Sequence, residues 1–178
     1  SNRAQRYTVD QTGPTGNNPY TSKPVAGPTG PVLQAVDVGS SIVVNSYNRT
    51  GAQIGTSSGS ADTKLPNTFT VPSITVTSDG TAYVPSEAPN DLKGRGIVLG
   101  RSTDAGKTWT KLPPLPDAAT GTAIFSMAAS GTNGHVGVAY YWTPTSHDPA
   151  SMPAGTVWFI KWAETHNADS AAPTWKIT

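Results

Sequence analysis

The chain has 178 residues, with 12 Lys and Arg against 11 Asp and Glu, 3 His and no Cys, for a net charge of +1. Charged residues make up 13%, about half the usual ~25%, and no basic cluster stands out, which argues against a nucleic-acid or anionic-membrane surface. Without cysteine there is no disulfide framework, thiolate nucleophile or Cys-based metal site, and no apolar run is long enough to span a membrane.

Residues 1–30 stand apart. They hold four Gly, four Pro and two copies of Gly-Pro-Thr-Gly, at 13–16 and 27–30, with no helical or strand periodicity. That composition reads as an extended arm or linker. The opening Ser-Asn-Arg carries no Met and no hydrophobic leader. A secretory signal is therefore expected either to have been removed already or never to have been there, and the sequence to be open to being part of a longer product.

From residue 31 to 178 the pattern is one of short β-type runs. They are Val32–Val38, Ser41–Ser46, Phe69–Thr77, Thr81–Pro85, Gly96–Arg101, Trp109–Leu112, Ala123–Ala129, His135–Trp142, Thr156–Glu164 and Thr174–Ile177. Turn chemistry separates them: Ser78-Asp79-Gly80, Asp104-Ala105-Gly106 and Gly131-Thr132-Asn133-Gly134. Helical i, i+3, i+4 spacing is absent beyond about two turns. Gly, Pro, Ser and Thr are poor in helix interiors, while Thr with Val, Ile, Trp and Tyr suits strands. The predicted fold class is all-β.

The runs recur in order. A strand, a tight turn and a second strand occupy 72–84 and again 125–140. A loop and a third strand follow each time, then a polar stretch ending in Thr108-Trp109 or Thr174-Trp175. A less complete copy starts at Val32. Four-stranded units at this period imply β-propeller blades.

One motif is specific. Ser102-Thr103-Asp104-Ala105-Gly106-Lys107-Thr108-Trp109 fits Ser-x-Asp-x-Gly-x-Thr-Trp, with Ser102, Asp104, Gly106, Thr108 and Trp109 in the defining positions. Gly106 accepts positive φ without steric cost, Asp104 and Ser102 can bond the turn's own N–H groups, and Trp109 supplies ~150–250 Å² of apolar area to anchor the hairpin. The octapeptide resembles the Asp-box (BNR repeat) of the sialidase-like β-propellers. Asn167-Ala168-Asp169 leading to Trp175 resembles a degenerate second box, and Ser57–Asp62 a weaker third.

The resemblance implies a secreted or surface propeller of glycoside-hydrolase type, acting on or binding glycans. The alternative is a non-catalytic module that binds glycans or surface proteins, or takes part in an assembly. Residues 31–178 suffice for about three blades at ~45–50 residues each, whereas a closed ring needs at least ~4. A second chain or further blades are therefore expected as partners. The chain's last residues, Trp175 to Thr178, fall inside an expected fourth strand.

A sialidase grips the substrate carboxylate with three arginines and uses carboxylates at the anomeric carbon. Of Arg3, Arg6, Arg49, Arg95 and Arg101, the first two lie in the arm and the last adjoins the box on the face away from ligand, leaving Arg49 and Arg95. No Arg-Ile-Pro signature is present, so a complete sialidase set is not encoded. The loops expected to face a ligand, 86–95 and 143–155, contribute Glu87, Asp91, Arg95, His147 and Asp148, with Tyr141 and Trp142 just ahead of the second. Carboxylates beside aromatic rings suit sugar hydroxyls and ring faces. No cofactor is expected. Asp148 with Asp91 falls short of the six or more oxygens a Ca²⁺ ion takes, and His135, His147 and His166 show no metal-ligand spacing. Asn48-Arg49-Thr50 is an N-glycosylation sequon.

Overall fold

A computed structural model describes residues 21–38, 41–56, 72–89 and 94–178. They form twelve strands in three antiparallel four-stranded sheets. Sheet A holds β1 (Val25–Ala26), β2 (Val32–Asp37), β3 (Ile42–Tyr47) and β4 (Gln53–Thr56). Sheet B holds β5 (Thr75–Val76), β6 (Ala82–Pro89), β7 (Arg95–Ser102) and β8 (Thr110–Lys111). Sheet C holds β9 (Thr122–Ser130), β10 (Val136–Thr143), β11 (Phe159–Thr165) and β12 (Lys176–Ile177). Two short 3₁₀ turns, Pro116–Ala119 and Pro149–Ser151, are the only helical segments among the described residues.

Every sheet is a simple meander in chain order. The first copy is complete. Its opening strand, Val25–Ala26, lies inside the segment expected as an arm, and it pairs with β2 in the register of the other copies. Ala26 faces Val32, Val76 faces Ala82 and Ser130 faces Val136. The turns between are closed by Gly30, Gly80 and Gly134, at φ of 100°, 90° and 70°, where a side chain would be strained. One Gly-Pro-Thr-Gly thus supplies the first tight turn rather than linker.

That register fixes which side chains share a face. In sheet A, Leu33, Ala35, Ile42 and Val44 point one way and pack with Ala82 and Val84 of sheet B and with Ile74 and Trp109, which directly precede its outer strands. The opposite face of sheet B presents Tyr83, Ile97 and Leu99, which pack with Val136, Val138, Tyr140 and Ala163 of sheet C. The sheets therefore stack head to tail: an equivalent face of A and of B each receives the back of the next sheet.

Both ends are shared. The tight turns of sheets B and C touch, Ser78 N–H donating to Gly131 O at 3.3 Å and its Oγ to Asn133 Oδ1 at 3.1 Å. At the other end Gly94 lies so close to Gly121 that a Cβ would stand 2.3 Å from the Gly121 carbonyl oxygen and 3.1 Å from Ser146 Oγ. The first strands lie side by side, Thr75 Oγ1 2.7 Å from Ser130 Oγ and Ala128 N–H donating to Ser73 Oγ at 3.0 Å.

Among the described residues, no sheet lies on the third copy of the receiving face. On sheet C it carries Met127, Tyr141, Ile160 and Trp162, exposed by 68, 43, 75 and 39%. The Trp162 indole, which pairs with Ala139 in the ladder, lies diagonally over Gly137, where a Cβ would run into the ring.

Candidate functional site

The Ser102–Trp109 motif joins β7 to β8 at the tight-turn end. Ser102 Oγ donates to Asp104 Oδ1 at 2.8 Å and accepts from Gly106 N at 2.9 Å. Thr108 donates twice to Asp104, from N to Oδ1 at 2.9 Å and from Oγ1 to Oδ2 at 2.6 Å. Trp109 is 3% exposed, and its indole N–H donates to Gly106 O at 3.1 Å. Positive φ at Ala105 and Gly106 turns the chain. Burial pushes the Asp104 carboxyl up, but the bonds from Thr108 and Ser102 outweigh it and hold it below the ordinary carboxylate value.

The degenerate copy repeats two of these bonds. Thr165 Oγ1 donates to Asn167 Oδ1 at 2.7 Å, and Thr174 N donates to it at 2.9 Å. Trp175 then packs against the core between sheets B and C. Between β3 and β4, Asn48 Oδ1 accepts from Thr50 and Ala52, so the sequon asparagine also pins a turn. The weaker third copy, Ser57–Asp62, falls outside the described residues.

The expected ligand-face residues scatter. Arg49 lies at the tight-turn end, where its guanidinium donates to Gly27 O and Pro28 O at 3.2 and 2.9 Å. Arg101 also lies at that end and donates to Ala168 O, Asp169 O and Ser170 O, tying sheet B to the last turn of sheet C. Asp91 falls outside the described residues. Glu87 is fully buried between sheets B and C. A bulge in β9 opposite β10 puts Phe125 at φ 59°, and the Ser126 N–H donates at 3.2 Å to Glu87 Oε1. Glu87 thus serves a backbone donor that a buried bulge must satisfy.

His147 and Asp148 do lie at the loop end. Thr122 Oγ1 bonds the His147 backbone on both sides, at 2.9 Å to O and 3.1 Å to N. Asp148 caps Pro149–Ser151 by accepting from Ala150 N at 2.9 Å. Arg95 NH1 reaches Glu87 O at 3.5 Å. Tyr141 meets Phe125 edge to face, centroids 5.8 Å apart, on the exposed face of sheet C.

A cluster that sequence reasoning missed surrounds Trp142 at this end. Tyr140 O–H donates to Asp117 Oδ1 at 2.7 Å, Lys161 Nζ pairs with Asp117 Oδ2 at 2.9 Å, and Trp142 Nε1 donates to Asp117 O at 3.1 Å. The Lys161 ammonium sits 4.1 Å from the Trp142 ring centroid, and Phe159 flanks the indole at 6.1 Å. Burial, and then the bond to Asp117, push the Tyr140 phenol well above the usual tyrosine range. The Pro-rich approach to Asp117, Pro113-Pro114-Leu115-Pro116, was the available signal that this connection is fixed. Chemically the cluster offers a half-buried indole beside a cation and a carboxylate with both oxygens engaged. It provides no free general base.

No protein-family model matches the chain, and no curated protein matches it.

Proposed function

We propose that the three sheets are consecutive blades of a sialidase-like β-propeller acting outside the cell or at its surface, that a further sheet of the same kind covers the exposed face of sheet C, and that the loop end binds glycans without hydrolysing them. The observation that carries this reading is the head-to-tail stacking of three sheets in equivalent register, with the Asp104 turn bonds repeated in part around Asn167. Favouring binding over hydrolysis, Glu87, Asp117 and Asp148 are each committed to a neighbour, and Arg49 lies at the opposite end from Arg95. Trp142 and Phe159 are the aromatic surfaces available to a sugar ring.

The test pairs a fluorogenic aryl sialoside assay with a glycan array on the full chain. The expected result is no product release, and array binding that Trp142→Ala and Phe159→Ala weaken with unchanged circular dichroism. Product release abolished by Glu87→Gln or Asp148→Asn would overturn it in favour of a hydrolase. A second reading, a purely structural assembly module, is favoured by the apolar exposed face of sheet C; a blank array would select it.

A further inference from the structure

The tight-turn end of sheet C carries a second titratable cluster. His135 precedes β10, while Glu164 and His166 lie at and just past the end of β11. The ladder sets Val136 opposite Thr165 and Gly137 opposite Glu164, so His135 falls opposite His166 and diagonal to Glu164 on the exposed face. Gly137, across from Glu164, has no β-carbon, and the Trp162 indole takes that space beside the cluster. His135 Nε2 lies 2.7 Å from Glu164 Oε1, and His166 Nε2 lies 3.9 Å from the same oxygen. The two imidazoles stack with centroids 4.1 Å apart at 20°. One donor atom from each residue falls within 4.8 Å of the other two.

We propose that His135, Glu164 and His166 form a site for a divalent first-row transition ion, with Zn²⁺ the ion best suited to the donors. Two imidazole nitrogens and one carboxylate oxygen make a three-ligand set that leaves a fourth position open. Metal–ligand bonds of ~2.0–2.2 Å in a tetrahedron put donors roughly 3.3 Å apart, between the 2.7 and 3.9 Å observed here. The two imidazole nitrogens complete the set within the 4.8 Å spread, and binding requires His166, with 75% of its side chain exposed, to rotate out of its stack on His135. The carboxylate offsets part of the ion's charge. Lys176, across from Glu164 on β12, is the cation facing the site. With a single carboxylate, the donors do not suit Ca²⁺.

The site occupies a telling register position. Arg101 stands opposite Tyr83 in sheet B as Glu164 stands opposite Gly137 in sheet C, and Arg101 ties its sheet to the next one. A bound ion would put its open coordination position at the corresponding junction. That last point rests on the reading that a further sheet covers this face; ion binding does not.

The test is calorimetric titration of the tag-free full chain with ZnCl₂, alongside the visible absorption of added Co²⁺. The expected result is one ion per chain, a Co²⁺ spectrum of four- or five-coordinate intensity, and at least ~10-fold weaker binding in His166→Ala. Glu164→Gln should weaken it likewise, whereas His147→Ala, at the other end, should bind as the parent does. Absence of saturable binding, or binding unchanged in both His166→Ala and Glu164→Gln, overturns the site. Neither outcome depends on the glycan array.

Discussion

Tyr83 is a buried residue whose ring and hydroxyl have opposite consequences. The ring fills the core between sheets B and C, but the hydroxyl has no hydrogen-bond partner among the described residues. Burial pushes its pKa up to about 12, so it stays protonated at neutral pH. An unpaired buried hydroxyl costs ~1–3 kcal/mol of desolvation. Tyr83→Phe should therefore leave the melting temperature unchanged or raise it by a few degrees, and a clear drop would reveal a partner for the oxygen. Gly94 is the converse case, because its missing β-carbon lets the two loop-end connections meet. Gly94→Ala should lower stability by more than the ~1 kcal/mol that a helix-type Gly→Ala change would gain, as read by urea unfolding.

The stapled turns set the behaviour of each hairpin. Asp79 is held below the ordinary carboxylate value chiefly by the Thr77 hydroxyl, with Thr81 adding to it, and Asp104 is lowered as described above. A lowered folded-state pKa contributes stability above the unfolded value of 3.8, and that contribution is lost as pH falls below about 4. The parent chain should thus lose stability between pH 5 and 3, and the Asp79→Asn, Asp104→Asn double variant should lose less over that interval in thermal melts. Trp109→Ala should cost ~3–5 kcal/mol, more than Trp175→Ala, because Trp109 is 3% exposed whereas Trp175 is only partly buried. These turns were legible in the sequence, since Asp, Gly, Thr and Trp act on their own few neighbours. The first strand was not. Val25–Ala26 is two residues long and held by pairing with β2, a contact that a two-residue periodicity cannot announce.

At the scale of the molecule, the all-β class and the threefold repetition could be read from alternation and turn spacing, because both are local patterns. The long-range chemistry could not. Glu87 reads as a loop charge until the β9 bulge supplies an N–H for it, and His135 meets His166 only through the β10–β11 register. The exposed face of sheet C gives the whole-chain prediction. Ile160→Glu should reduce concentration-dependent association in sedimentation, leaving the far-ultraviolet spectrum unaltered; unaltered association would show that this face is not what mediates it.

Each hydrogen-bonded ladder joins strands that are neighbours along the polypeptide, which has a kinetic corollary. Local closure is entropically cheap, so every meander should zip on its own timescale before the meanders dock. Among the described residues, the third one keeps greasy side chains facing solvent. During synthesis that surface is the segment most in need of a chaperone, and the part of the polypeptide where misassembly should begin.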